Sequence, residues 1–171
     1  MVQENTKEGY ALKVRVKFAK EGAMKFIGHL DIMRYFQKAV KRANLDVAFS
    51  EGFSPHMIMS FASPLGVGIT STGEYFDMEL KSATTSSDMV KRLNDAMAEG
   101  MKILSIRQVE DGKASKAMSL VAAADYRLKF RETAKLPENW KEKLEEFKAQ
   151  KEIVILKKTK KSEKELDIRP F

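Results

Sequence analysis

Hydrophobic and polar positions alternate near the start of the chain: Leu12, Val14, Val16 and Phe18 are separated by Lys13, Arg15 and Lys17. A period of two puts the apolar set on one face of a strand and the basic set on the other. After a loop at Glu21-Gly22 the period changes. Over about 29–44 a helix is expected, with Ile32, Met33, Phe36, Ala39, Val40 and Ala43 on one side and Arg34, Lys38, Lys41 and Arg42 on the other. Short extended pieces are expected at 47–49 and 57–61, around the turn Glu51-Gly52-Phe53-Ser54-Pro55, and Pro64-Leu65-Gly66 is a second break. Residues 74–80 alternate again, with Phe76, Met78 and Leu80 opposite Tyr75, Asp77 and Glu79. Ser86 or Ser87 can cap a helix reaching about residue 99, with Met89, Val90, Leu93 and Met97 inward and Gly100 as its stop. Residues 101–109 are then extended. Strand–helix–strand–strand–helix–strand over 11–110 is the order of a ferredoxin-like split βαβ unit, in the α+β class.

The same order begins again after Asp111-Gly112-Lys113. Residues 115–123 are expected as a short connecting helix. Tyr126, Leu128 and Phe130 alternate as a strand, and 137–149 is a helix with Pro137 near its start. Residues 153–156 form a further strand, and 159–162 turn into a last one over 166–171. Residues 111–171 therefore read as a second ferredoxin-like unit, incomplete and truncated because a closing helix and strand are missing. Residues 1–10 are polar and read as a disordered tail.

Composition narrows the functional classes. Apolar residues make up 43% and charged residues 32% of 171, a globular mixture. With no cysteine, a disulfide framework, a thiol nucleophile and a cysteine-held zinc or iron–sulfur cluster are excluded. No signal-like leader and no run of about 18 apolar residues is found, so a cytoplasmic chain with no membrane contact is expected. The net charge is +7, divided as +2 over 1–110 and +5 over 111–171. That excess favours an anionic partner such as RNA, although ordinary solubility accounts for it as well.

The candidate chemistry concentrates between His29 and His56. Arg34, Lys38, Lys41 and Arg42 share one helical face, a spacing suited to phosphate groups but equally to a solvated surface. Asp31 in the first helical turn suits the positive end of the helix dipole. His29 falls on the core side, where a hydrogen-bonded structural histidine is the commoner outcome. His29 and His56 are the two histidines of the chain; brought together, they could act as base and acid on an RNA 2′-hydroxyl. In the turn, Gly52 allows positive φ and Pro55 fixes the exit. Phe53 there either plugs the core or is presented to a ligand. His29, Asp31, Glu51 and His56 have no recognisable metal spacing, so no metal is expected. On the strands, Lys13, Arg15 and Lys17 lie opposite Asp77 and Glu79. Cross-strand pairing is worth roughly 0.2–1 kcal/mol per pair. An RNA-holding sheet would instead need aromatic platforms, and only Tyr75 is available on that side.

Several of these stretches carry a family resemblance: Phe26-Ile27-Gly28-His29-Leu30-Asp31, Arg34, Lys41-Arg42-Ala43, Ser50-Glu51-Gly52-Phe53-Ser54-Pro55, Ser60-Phe61-Ala62-Ser63-Pro64-Leu65-Gly66, Glu74-Tyr75 and Leu166-Asp167-Ile168-Arg169-Pro170. Together they resemble the bacterial family of uncharacterised radical-SAM-linked proteins, from about residue 14 to residue 171. Two positions depart from its pattern: Gly28, where the family usually has Ser, and His56, where a basic residue commonly follows the Pro. The resemblance implies a radical S-adenosylmethionine enzyme as partner. An iron–sulfur cluster and S-adenosylmethionine would belong to that partner, and this chain needs no cofactor of its own.

Three functions are therefore expected in turn. The first is an accessory module, not catalytic on its own, that binds RNA or presents a substrate through His29, Asp31, Arg34, Lys38, Arg42, Glu51, Phe53, Ser54, Pro55 and His56. The second is a ferredoxin-like endoribonuclease using His29 or His56. The third is a pure protein-interaction domain.

Overall fold

Val14, Val16 and Phe18 are almost fully buried, which places strand β1 (Leu12–Lys20) at the centre of a four-stranded sheet. In the computed structural model, residues 12–110, 116–159 and 162–169 are described. The tail 1–10, the break 111–113 and the chain end at 170–171 lie outside them. β1 pairs on one side with β3 (Ser71–Leu80) and on the other with β4 (Met101–Gln108). β2 (Met59–Phe61) lies outside β3, giving the order β2-β3-β1-β4 with every neighbouring pair antiparallel. This is a mixed α/β unit with a four-stranded antiparallel sheet. A 3-10 helix over Gly22–Phe26, which the alternating pattern does not reveal, follows β1.

Helices α1 (His29–Arg42) and α2 (Ser86–Asp95) close the apolar face of the sheet. Ile32, Phe36, Ala39 and Val40 of α1 and Met89 and Leu93 of α2 are buried there, the stripe spacing of an amphipathic helix. Phe36 is the hub. Its ring centroid lies 4.7 Å from Phe18, 4.8 Å from Phe76 and 5.7 Å from Phe61. The helices also end on each other. Arg92 of α2 donates to the carbonyls of Ala43 and Asn44 beyond the end of α1. Arg42 of α1 donates to the Ala96 carbonyl at the end of α2. Each guanidinium thus satisfies carbonyls that a helix terminus leaves without intrahelical partners.

The helix cap differs from the two expected serines. Thr85, just before the two serines, accepts from Asp88 N, and α2 ends at Asp95 rather than near 99. Gly100 has φ of +88° at a corner where Glu21 N donates to its carbonyl at 2.7 Å. A Cβ there would lie 2.6 Å from the Glu21 carbonyl oxygen. Gly100→Ala is therefore expected to destabilise the fold by at least the ~1–2 kcal/mol cost of a left-handed L-residue, with the backbone clash added. Urea denaturation checks this; an unchanged midpoint contradicts it.

On the opposite face of the sheet, basic and acidic residues face each other across β1 and β3, and one couple forms an ion pair. Arg15 stands opposite Asp77, and Lys13 opposite Glu79. Arg15 Nε donates to Asp77 Oδ1 at 2.8 Å and Nη2 to Oδ2 at 3.1 Å, a two-pronged contact. Helix α3 (Ala117–Leu120) completes the arrangement, since Ala117 N donates to Asp77 Oδ2 at 2.8 Å. That contact carries the first unit to Ala124, with the second beginning at Asp125. α3 also packs on β2 and β3.

In the second unit, α4 (Trp140–Ala149) precedes a hairpin of β5 (Val154–Lys158) and β6 (Glu163–Asp167). Two expectations change. Tyr126, Leu128 and Phe130 form no strand, because alternation supplies an amphipathic edge but no partner to pair with it. The last strand starts at Glu163 rather than 166, since Thr159 and Ser162 close a tight turn. Asp167 secures the base of the hairpin by accepting from Ile153 N and Arg169 N. Those two donors hold its carboxyl below the usual range.

Candidate functional site

The apolar alternation of β1 continues one step beyond Phe18, to Lys20. The same happens at the start of β3, where Glu74 precedes Phe76, Met78 and Leu80. A lysine and a glutamate therefore occupy core-facing positions at the end of the sheet where α1 begins. There they line a narrow cleft with His29, from the first turn of α1, and Ser63, from the loop after β2. Phe18, Ile32, Phe61 and Leu65 form its apolar walls.

Lys20 is the unusual member, with only 2% of its surface exposed. Its Nζ donates to the Ile27 carbonyl at 2.8 Å, tying the end of the 3-10 helix to the sheet. Burial pushes the amine below the usual lysine range, and the carboxylate of Glu74 opposes part of that effect. The His29 ring stands edge-on to Phe61 at 5.6 Å. His29 is thus half-buried against the core, as expected for the core side of the helix.

The other anticipated residues are spread over a wider surface. Asp31 and Arg34 pair with each other at 3.1 Å on the exposed side of α1. Arg42 is engaged at the end of α2. Lys38 and Lys41 stay exposed. The basic face is therefore less free than its spacing suggested. Glu51, Phe53, Ser54, Pro55 and His56 form an exposed loop, with Gly52 at φ +107°. Ser50 and His56 close its base: Ser50 N donates to the His56 carbonyl at 2.9 Å, and the hydroxyl and ring nitrogen are 2.8 Å apart. Phe53 is completely exposed, so of its two expected roles the core plug is excluded. The two histidines have separate neighbours, His29 against Phe61 and His56 against Ser50.

Lys20, Ser63 and Glu74 were missed as site residues. The signal for two of them is the alternation itself, which sets opposite charges at positions where an apolar residue is expected. A further surface adjoins the cleft. Gly68 N donates to the Lys25 carbonyl at 2.8 Å, and Val67 stands in contact range of Gly28. The 64–69 loop thereby lies on the segment leading into α1. Phe26 (66% exposed), Leu30 (67%) and Val67 (62%) protrude from these neighbouring segments.

Among the described residues no group of three His, Asp or Glu side chains could hold a metal ion. No described helix is long and apolar enough to cross a membrane. Residues 13–171 match the family model described as an uncharacterized protein conserved in bacteria, DUF2344. No curated protein matches the chain.

Proposed function

The chain belongs to the DUF2344 family of uncharacterized proteins conserved in bacteria, and we propose that it serves there as an accessory module, not catalytic on its own. In this reading it acts in the cytoplasm, docks on a radical-SAM enzyme and presents a substrate to it. The cluster and the S-adenosylmethionine belong to that partner. The observation that carries the reading is the protruding trio Phe26, Leu30 and Val67 beside a cleft with a buried lysine. Large apolar side chains exposed together mark a surface that meets another protein. We read the four-stranded unit as ferredoxin-like, which the order β2-β3-β1-β4 with α1 and α2 on one face supports. The helix and hairpin after residue 125 are read as an incomplete second unit of that kind.

RNA binding is the weaker reading, because Arg34 and Arg42 are already engaged and the basic side of the sheet is paired at Arg15. An endoribonuclease that needs both histidines is weaker still, given their separate neighbours.

The test uses the full chain and the radical-SAM enzyme of the same bacterium. Phe26→Ser with Leu30→Ser should leave stability within about 0.5 kcal/mol per site, as for other exposed positions. It should weaken the complex by roughly 30-fold, the effect of losing one 2 kcal/mol anchor. Unchanged affinity, or no complex with the parent chain, refutes the docking role. Mixed cellular RNA titrated across a salt series is expected to show no steep salt dependence; a steep one favours the RNA reading.

A further inference from the structure

From the charge pattern of the second unit we infer that two copies of this chain associate by exchanging a strand. The segment 126–131 of each copy pairs with the open edge of β6 in the other. This goes beyond the docking role proposed above and makes no use of Phe26, Leu30 or Val67.

The donated segment has two sides, Tyr126, Leu128 and Phe130 against Arg127, Lys129 and Arg131. It belongs to no strand or helix, and Tyr126 and Leu128 are 81% and 80% exposed. The hairpin supplies the receiving edge. Thr159 N donates to the Ser162 carbonyl, and Ile168 N to the Ile153 carbonyl. Because hydrogen-bonded pairs alternate along an antiparallel ladder, the main-chain groups of Glu163, Glu165 and Asp167 turn away from β5. No described strand pairs with them on that side. The register of the hairpin sets those three acids on one face, and Leu166 with Ile155 on the other.

An antiparallel pairing with Lys129 opposite Glu165 matches both faces at once. Arg127 then meets Asp167 and Arg131 meets Glu163, while Leu128 meets Leu166 and Tyr126 meets Ile168. Opposite charges and apolar couples directly across two strands both stabilise a ladder. A slip of one residue in either direction would set Leu128 against an acid. Among the described residues, Arg127, Lys129, Arg131 and Glu165 make no ion pair. Within one chain, then, both halves of the match stand open, with the Phe130 ring held against Trp140 at 5.3 Å. A two-stranded hairpin is marginal alone, and an uncovered edge is a template for a further strand. Exchange about a two-fold axis gives each β6 a third strand and each basic segment its acids.

Sedimentation of the full chain over a concentration series tests this. The parent chain should pass from monomer to dimer, less readily as salt rises. Lys129→Glu alone and Glu165→Lys alone should each raise the dissociation constant at least about tenfold, since each sets like charges opposite one another at both symmetry-related places. Both positions are exposed, so neither change should disturb folding. Mixing the two variants should restore a dimer of near-parent affinity, because each altered residue then faces the other. Amide exchange at Lys129 and Glu165 should slow as the dimer forms. A parent chain that stays monomeric throughout, a dimer that Lys129→Glu leaves intact, a mixture that associates no better than its components, or exchange at Lys129 and Glu165 that dimerisation does not slow overturns the proposal.

Discussion

Asp77→Ala is expected to lower the stability of the four-stranded unit by about 3–5 kcal/mol, the usual cost of removing one member of a buried ion pair. Asp77 makes three contacts at once: two with the Arg15 guanidinium and one with Ala117 N. Its side chain is 4% exposed and that of Arg15 19%, so the carboxylate is shut off from water. The Ala117 amide adds roughly 1–3 kcal/mol if it stays buried without an acceptor, unless α3 lifts away. Urea denaturation of the full chain measures the sum, and amide exchange at Ala117 separates the two contributions. A loss below about 1 kcal/mol would show that the pair is effectively solvated, as exposed pairs are. Replacing both partners, with Arg15→Met and Asp77→Leu, should recover much of the loss. An apolar pair of similar bulk has no desolvation cost to offset.

This pair also shows how far the sequence could be read. Lys13, Arg15 and Lys17 on one strand and Asp77 and Glu79 on another announced complementary faces. The register that sets Arg15 against Asp77 turned that pattern into a contact. Period located β1, most of β3 and the apolar stripes of both helices of the first unit, because one buried face imposes the pattern. It could not locate α3 against Asp77, since four residues carry too little pattern to register. Nor could it distinguish an amphipathic edge from a paired strand at Tyr126–Leu128–Phe130, where pairing depends on a neighbour elsewhere in the chain.

The site was harder to read for a different reason. Motif-like turns and histidines drew the reading to Glu51–His56, a stretch that the structure places in an exposed loop. Lys20 and Glu74 carry no motif. What marks them is a charge at a position where the period demands an apolar side chain, and that mark was already visible. His29 belongs to both accounts. Its place on the core side of α1 was legible, whereas its neighbours in the cleft come from three other segments of the chain and were not.

Phe36→Ala should cost about 3–5 kcal/mol, the range for truncating a fully buried aromatic ring, and reach the cleft as well. Phe36 has no exposed surface, and its ring meets Phe18 at 4.7 Å, Phe76 at 4.8 Å and Phe61 at 5.7 Å. Deletion leaves a cavity that these rigid neighbours cannot fill without leaving their own rotamers. Two of them, Phe18 and Phe61, are walls of the Lys20 cleft, and Phe61 is the ring against which His29 stands. Thermal unfolding should therefore fall by roughly 10 °C or more, and the His29 ring resonances should shift or broaden although residue 36 does not touch that ring. Phe36→Leu, which keeps most of the volume, should retain more stability and a His29 signal close to that of the parent chain. If the alanine variant loses the stability but leaves His29 unmoved, the phenylalanine cluster supports the sheet without setting the cleft. Loss of both together would mean that the packing holding α1 on the sheet also fixes the geometry around the buried lysine.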